Sequence, residues 1–315
     1  MGGVRRAPGN VSGTKRSGSA GFAAVLGAAS LFSWGFILVK AAGLPPATTA
    51  VWRLLLALLV LLAAAGVTGA RWPRLTRTVG LAGVGFGAHQ LLYMAASQTT
   101  SIAVVTLVTA LQPLLVAVVS HRTVGEAVPK RLIGWALVAL LGVAVVVVAN
   151  LGAKSRSLSG DLLSVVNLFA FTAYFLFAKR AREGGAPTLT LTAQIAAVAL
   201  AVVAPALLLV DTWAPERSDQ WLLVAVLALG PGNAHLLLNW AHRRVSAALA
   251  SLTLSAVPLL ASVWAHLVFD EPYGIRHVLG MLLVAVAIEG GRRAERDVAR
   301  GQAGIASRTT ESALR

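Results

Sequence analysis

The chain of 315 residues contains no cysteine, and only 12% of its residues carry a charge. Without cysteine, disulfides, Cys-ligated zinc sites and thiol catalysis are all excluded. A soluble globular domain carries about 25% charged residues, whereas 57% of this chain is hydrophobic. The composition therefore indicates a protein embedded in a lipid bilayer.

Enzyme signatures are also missing from the sequence. It has neither a His-Glu-x-x-His metal motif nor a Gly-x-Ser-x-Gly nucleophile elbow. No Asp or Glu lies in the middle of a long apolar segment, which argues against a carboxylate proton relay and leaves no obvious counter-ion for an organic cation. We therefore expect no enzyme activity, no metal site and no cofactor.

The net charge of the chain is +15, which by itself is typical of proteins that bind nucleic acid. The Lys and Arg residues do not form one soluble face, because they lie between apolar segments and in the two tails. We therefore expect the lipid bilayer as a partner and no nucleic acid.

Ten apolar segments predict ten transmembrane helices, since about 20 apolar residues span a bilayer. Turn residues such as Pro45, Pro46 and Gly184 separate the segments. The predicted helices cover residues 21–41, 47–68, 79–98, 101–121, 131–150, 160–179, 188–210, 220–241, 246–268 and 275–290.

The second half of the chain repeats the first at an offset of 145 residues. Pro113 recurs as Pro258 and Glu126 recurs as Glu271, and the register holds without a gap from residue 85 to residue 131. A hydrophobic chain built of two related halves is typical of secondary transporters, whose substrate site lies between the halves.

Positive charge is distributed unevenly between the two sides of the predicted helices. One side holds 21 Lys and Arg residues and the other holds 5, with Arg53 inside a helix. The positive-inside rule then predicts that both termini are cytoplasmic. Five helices per half is an odd number, so the halves face opposite ways. The sequence thus predicts an all-α integral membrane protein with two five-helix inverted-topology repeats.

Several short motifs resemble those of a known family. The motifs are Ser33-Trp34-Gly35-Phe36, Trp52-Arg53, the stretch from Gln90 and Tyr93 to Pro113, Asn239-Trp240, Ser246, Ala248 and Gly280. In both halves a Glu follows the shared Pro after 13 residues. On these residues the chain resembles the EamA family of the drug/metabolite transporter superfamily. The resemblance implies a ten-helix carrier of a bacterial-type inner membrane, often an exporter of amino acids, related metabolites or toxic compounds.

Four regions are expected along the chain. Residues 1–20 are predicted to form a disordered basic cytoplasmic tail, and residues 291–315 a second basic cytoplasmic tail. Between the tails, residues 21–150 and 160–290 are predicted to form the two five-helix EamA-like repeats.

Polar and aromatic residues at helical spacing are candidates for lining the substrate path. His89 and Tyr93 share one face of the third helix, as do His235 and Asn239 on the eighth. The proposed path residues are Trp34, His89, Gln90, Tyr93, Gln112, Asn167, Tyr174, His235 and Asn239. The alternative is that they only make interhelical hydrogen bonds. The two histidines make protons a candidate coupling ion.

Proline and glutamate residues of the repeat are candidates for structural or gating roles. Pro113 and Pro258 interrupt stripes of small residues, and each frees a backbone carbonyl one turn earlier; close helix packing is the alternative. Glu126 and Glu271 are expected to cap the start of the next helix, with a coupling role as the alternative. Arg53 is expected to snorkel to the interface, and the alternative is that it attracts a substrate carboxylate.

The sequence predicts a secondary transporter that exports a small organic solute, such as an amino acid, a related metabolite or a drug, by alternating access. A sugar or nucleotide-sugar carrier is the alternative within the superfamily, although only Arg53 and Lys40 could face nucleotide phosphates. A membrane-embedded lipid-modifying enzyme is less favoured, because no cluster of Asp, His or Arg lies at one membrane face. A receptor is also less favoured, because it would be expected to carry a sizeable soluble module and the two predicted tails are short. The sequence assigns no oligomeric state.

Overall fold

The computed structural model describes residues 11–100, 102–149, 157–270 and 273–313, and this part of the chain is helical without a strand. A 3₁₀ turn covers Ala204–Leu209 and a π-helical turn covers Ala228–Gly232. The α-helices are α1 (Val11–Phe32), α2 (Gly35–Ala42), α3 (Pro46–Val67), α4 (Arg77–Thr99), α5 (Ile102–Thr109), α6 (Gln112–Val124), α7 (Lys130–Ala149), α8 (Leu158–Glu183), α9 (Thr188–Val203), α10 (Ser218–Leu227), α11 (Ala234–Ala241), α12 (Ala247–Leu254), α13 (Ala256–Phe269) and α14 (Ile275–Ala313).

Nine helical segments of the described chain are long and apolar enough to cross a membrane. Four of them are interrupted, so that α1 with α2, α5 with α6, α10 with α11, and α12 with α13 each form one span. The chain is therefore a multi-pass membrane protein. The apolar part of α14 is short, because it lies between Arg276 and Glu289.

The first and last helices extend into the predicted tails. Helix α1 begins at Val11, so that residues 11–20 are helical, and α14 continues to Ala313. Once an apolar span has formed a helix, each further residue adds a hydrogen bond at little cost. Gly21 also lies against the loop between α11 and α12, where an added Cβ would be 2.5 Å from Arg244 Cβ and 3.1 Å from Val245.

Contacts between the two halves occur in matched pairs. Helix α4 packs on α8, and the equivalent pair, α10 and α11 on α1 and α2, is also in contact. Helix α6 packs on α12, which is the equivalent of α5, and α7 packs on its equivalent α14. The sequence repeat is therefore also a repeat of packing, with the two halves interlocked along the centre.

The close approach of α4 and α8 depends on glycine. A Cβ on Gly85 would lie 2.9 Å from Tyr174 N and 3.1 Å from Ala170 O, which leaves no room for a side chain. Small residues let helix backbones approach in this way, and the resulting contact seats Phe86 against Tyr174 with ring centroids 4.7 Å apart. This packing places polar residues of the two helices at the centre of the molecule.

Candidate functional site

A cavity of about 90 Å³ lies at the centre of the molecule, between the two halves. Its walls are mostly apolar and aromatic, with Phe32, Phe36 and Phe171 among them. The polar residues of its lining are Arg53, His89, Gln90, Tyr93, Thr109, Gln112, Asn167, His235, Ser251 and Ser255. Six predicted path residues, His89, Gln90, Tyr93, Gln112, Asn167 and His235, therefore meet in one place.

The three remaining predicted path residues, Trp34, Tyr174 and Asn239, do not line this cavity. Trp34 stacks on Trp264 of α13 with ring centroids 4.2 Å apart, next to the break between α1 and α2. Tyr174 and Asn239 are fully buried one layer behind the cavity wall. Tyr174 and Asn239 are therefore connected to the cavity through a neighbouring residue that lines it.

That neighbour is His235, which begins a directed chain of hydrogen bonds. Its Nδ1 lies 3.1 Å from the Tyr174 hydroxyl, and this hydroxyl donates to Asn239 Oδ1 over 3.3 Å. Asn239 Nδ2 then donates to Thr192 Oγ1 over 3.0 Å, and Thr192 donates to the Thr188 carbonyl. Because the Tyr174 proton is used on Asn239, His235 Nδ1 is the donor to tyrosine and Nε2 is the nitrogen that can accept a proton.

His89 is oriented in an equivalent way from the other half. Its Nδ1 lies 2.7 Å from Asn167 Oδ1 of α8, and its ring stacks on Phe171 with centroids 4.5 Å apart. An amide oxygen only accepts, so Nδ1 carries the proton and Nε2 can accept one. Each half thus supplies one oriented imidazole to the cavity.

The breaks at Pro113 and Pro258 lie at equivalent positions beside the cavity. A proline cannot donate to the carbonyl four residues earlier. That carbonyl belongs to Thr109 in the first half and to Leu254 in the second, and both residues line the cavity. Each also ends its helix, α5 or α12. The two prolines therefore place helix ends at the cavity.

A third break was not predicted from the sequence. Pro231 lies inside the π-helical turn between α10 and α11, and it lines the cavity. The signal was present as Gly230-Pro231-Gly232 in an otherwise apolar segment. The equivalent position in the first half is Phe86, and α4 is unbroken there. The two halves thus differ at this point.

Arg53 lies in the cavity wall and does not snorkel to the interface. Its side chain is 5% exposed, and Nη2 donates to the carbonyl of Pro231 over 3.4 Å. Among the described residues its Nε has no hydrogen-bond partner. The snorkelling expectation fails because the π-helical turn of the other half covers the guanidinium.

Glu126 caps a helix of the other half and not the next helix α7. Its Oε2 accepts a hydrogen bond from Ala247 N, at the start of α12, over 2.7 Å. Its Oε1 lies 2.8 Å from Lys179 Nζ of α8, which is 2% exposed. Lys179 Nζ also donates to the carbonyls of His242 and Val245. Glu126 therefore joins the halves at one end of the molecule. Its repeat mate Glu271 lies outside the described residues.

Near this ion pair lies a buried imidazole, that of His242. Both of its ring nitrogens lack a hydrogen-bond partner among the described residues. Burial lowers the pKa of His242 well below its usual value, and the positive charges of Lys179 and Arg182 lower the pKa further. The ring is neutral at pH 7 and packs edge-on against Phe175 with centroids 4.8 Å apart. In the described part of the chain no three His, Asp or Glu side chains converge as metal ligands.

Comparison with known proteins identifies the family. The sequence model of the EamA-like transporter family matches residues 19–148 and again residues 158–289, which together are most of the chain. The chain belongs to the EamA-like transporter family. This EamA chain is thereby a membrane transporter of the drug/metabolite transporter superfamily. The boundary between the two matches falls between α7 and α8, where the sequence repeat divides.

Individual relatives of this EamA chain are matched over a short stretch. The "Probable 4-amino-4-deoxy-L-arabinose-phosphoundecaprenol flippase subunit ArnE" of Pseudomonas paraeruginosa (strain DSM 24068 / PA7) is 38% identical over 78 residues, which is 25% of this chain and 66% of that protein. The subunit of the same name from Pseudomonas aeruginosa (strain UCBPP-PA14) is 36% identical over 78 residues, with the same shares. The EamA chain thus spans just under two thirds of the length of these relatives.

One solved structure, described only as a crystal structure of a protein, has the same fold. It superposes with a TM-score of 0.74 at 21% sequence identity, over 89% of this chain and 99% of the other. At this identity the likeness concerns the fold alone.

Proposed function

We propose that this EamA chain is a secondary transporter that exports a small organic solute, an amino acid, a related metabolite or a drug, by alternating access. The observation that carries the proposal is the central cavity between the two halves. It receives one oriented histidine from each half and is flanked by equivalent helix breaks at Pro113 and Pro258. Broken helices around a central site are the usual architecture of such carriers.

The two ends of the molecule support this mechanism, because the halves are in contact at both of them. At one end Glu126 binds Lys179 and the start of α12. At the other end Trp52 Nε1 donates to Trp213 O over 2.8 Å, and Gln220 Nε2 donates to Ala42 O over 3.3 Å. Opening one set of contacts while the other stays closed would give the cavity access to one side at a time.

The proposal includes ten spans with inverted repeats and both termini in the cytoplasm. Helix α14 supplies the tenth span, since it packs along its repeat mate α7. One side of the predicted helices holds 21 Lys and Arg residues and the other side holds 5. This asymmetry supports a cytoplasmic location for both termini and for Glu126, which lie on the more basic side. Export is the direction that the family resemblance favours.

Transport by purified protein in liposomes tests the proposal. We expect saturable counterflow of at least one labelled solute from a panel of amino acids, nucleosides and sugars. Gln112→Ala should reduce this uptake, because Gln112 lines the cavity. Gln194→Ala is the matched control, because Gln194 bonds to Pro73 O on the periphery. Equal uptake by both variants and the wild type would remove the cavity from the transport path.

Proton coupling through His89 and His235 is a part of the proposal that can fail separately. Each imidazole has Nδ1 in a hydrogen bond, so Nε2 can take up a proton from the cavity. We expect uptake to vary with pH over about 5.5–8. Replacement of both histidines by Gln should abolish this variation. A rate that stays constant with pH in the wild type would refute the coupling.

A lipid-linked sugar carrier is the second candidate, and it is favoured by the similarity to the flippase subunits named ArnE. The two candidates differ in the fate of a fluorescent polyprenyl-phosphate sugar in the same liposomes. A flippase equilibrates this lipid between the two leaflets, so dithionite added outside the liposomes then bleaches the fluorescence of all of it. An exporter of soluble solutes leaves half of it protected.

A further inference from the structure

The cavity holds one positive charge and no described negative one. Arg53 lines it together with nine other polar residues, and no Asp or Glu is among the described lining residues. A buried charge without a counter-ion is costly in a membrane protein, and such residues are usually functional. The described residues of the cavity therefore leave the positive charge of Arg53 without a counter-ion.

Other buried cations of the chain are well satisfied by protein atoms. Lys179 has Glu126 at 2.8 Å and Glu183 at 3.1 Å, besides two carbonyls. Arg182 is 5% exposed, like Arg53, and its Nε donates to Asn239 O over 3.0 Å while Nη1 donates to Ala186 O. Arg53, by contrast, has one long bond of 3.4 Å and an Nε without a described partner.

Further polar atoms of the lining are also unsatisfied. Gln112 Nε2 and Ser255 Oγ, which can donate, and Gln90 Oε1, which accepts, are buried without a hydrogen-bond partner among the described residues. Gln112 and Arg53 belong to the first half and Ser255 to the second, so both halves supply donors to the cavity. Buried polar groups are rarely left unpaired, and these four groups line one cavity.

We propose that Arg53 is the binding site for the anionic group of the transported solute, and that this group carries a single negative charge. A carboxylate or a phosphodiester fits, because either accepts several hydrogen bonds and neutralises one guanidinium. Gln112 and Ser255 donate to the same group. The inference rests on the proposed transport function and narrows its substrates to solutes that carry a mono-anionic group, which disfavours purely cationic drugs.

Thermal unfolding of the purified protein tests the charge preference with matched probes. Benzoate and the mono-anionic diester methyl phenyl phosphate should raise the melting temperature. Neutral benzamide and cationic benzylamine, which have the same ring, should not. A shift with benzoate alone assigns a carboxylate, and a shift with the diester alone assigns a phosphodiester. No shift with either anion at millimolar concentration, or an equal shift with benzamide, overturns the proposal.

A pair of arginine variants separates binding from a structural role. Without ligand, Arg53→Met should melt at the same or a higher temperature than the wild type, because an unpaired buried charge is removed. Arg182→Met should melt at a lower temperature, because two carbonyls lose their donors. Arg53→Met should also weaken anion binding at least about tenfold, since a charge-assisted contact is lost. Arg53→Lys should recover part of it.

The outcomes distinguish this inference from the proposed function. If Arg53→Met melts lower and still binds benzoate as the wild type does, Arg53 is structural and the inference is wrong, whatever the protein transports. If anions bind through Arg53 but no solute crosses liposome membranes, the anion site stands and the transport proposal fails.

Discussion

The polar residues around the cavity form two layers with different tasks. His235 faces the cavity, while Tyr174 and Asn239 behind it fix the direction of its ring through hydrogen bonds of 3.1 and 3.3 Å. Phe32 and Phe86 hold the same ring by contacts with centroids 4.6 and 4.5 Å away. A substitution in the second layer should therefore change how His235 acts without removing it.

Tyr174→Phe tests this second layer. It keeps the ring packed on Phe86 but leaves His235 Nδ1 and Asn239 Oδ1 without their partner. We expect a loss of about 1 kcal/mol in the free energy of unfolding, together with a raised KM for transport. Chemical unfolding and liposome uptake measure the two effects. A variant with wild-type stability and KM would show that Tyr174 does not position His235.

His242 should make stability fall at acidic pH. Its pKa in the folded protein is lowered by burial and by Lys179 and Arg182, so the unfolded chain binds the proton more readily. Stability is thus unaffected above the unfolded pKa of about 6.5 and decreases as the pH falls below it.

Comparison of His242→Met with the wild type isolates this contribution. We expect the melting temperature of the variant to fall less between about pH 7.5 and 5.5 than that of the wild type. Replacement should cost little at pH 7.5, because neither ring nitrogen has a described partner to lose. Parallel pH curves for the two proteins would contradict the assignment.

At the scale of the elements, four spans of the described chain are each built from two shorter helices. Helix α5 ends at Thr109 and helix α12 ends at Leu254, and these are equivalent residues of the two halves. A break in the span follows each of them. Helices that are interrupted in this way expose carbonyls and bend more easily than continuous ones. The breaks are therefore the places where one half can move relative to the other.

Pro258→Ala tests the role of these breaks. The new N–H can donate to Leu254 O, so the free energy of unfolding should stay equal or rise by up to about 1 kcal/mol. Transport should slow, because α12 and α13 become one stiffer helix. Pro46→Ala is the control, since Pro46 stands in the first turn of α3, away from any break. If both variants transport alike, the break at Pro258 is not part of the mechanism.

The whole molecule consists of two interlocked halves that meet at the cavity and are tied together at each end. The contact of Glu126 with Lys179 can be compared with a second contact, because Lys179 binds two carboxylates. Glu126 belongs to the first half, whereas Glu183 lies on the same helix as Lys179, one turn away. Removal of Glu126 should loosen the halves, and removal of Glu183 should not.

The absence of cysteine makes this prediction measurable. In a Ser255→Cys background, the single thiol reports access to the cavity by an impermeant maleimide. Glu126→Gln should speed labelling from the proposed cytoplasmic side. A charged hydrogen bond contributes about 1.5–3 kcal/mol, and each 1.4 kcal/mol shifts a two-state equilibrium about tenfold. Glu183→Gln should label like the parent. Slow, unchanged labelling of the Glu126 variant would show that this tie does not close the cavity.

Residues that repeat with the helical period can be assigned to a helix face from the sequence, because their signal is local. The apolar runs required helices, and the resemblance to the EamA family was confirmed over both halves. His89, Gln112 and His235 were placed at the cavity because polar residues in apolar helices must turn inwards. Tyr174 and Asn239 were assigned the same position, but spacing along a helix does not distinguish the first layer around a cavity from the second.

The sequence by itself determined a helical membrane protein with two related halves, since hydrophobicity, proline and charge act over one or two turns. Only the tertiary structure decided the partners of Arg53 and Glu126. Arg53 is enclosed by the π-helical turn at Pro231, 178 residues away, and Glu126 caps a helix 121 residues away. The energy of a buried charge depends on which atoms surround it, and those atoms come together only when the two halves pack.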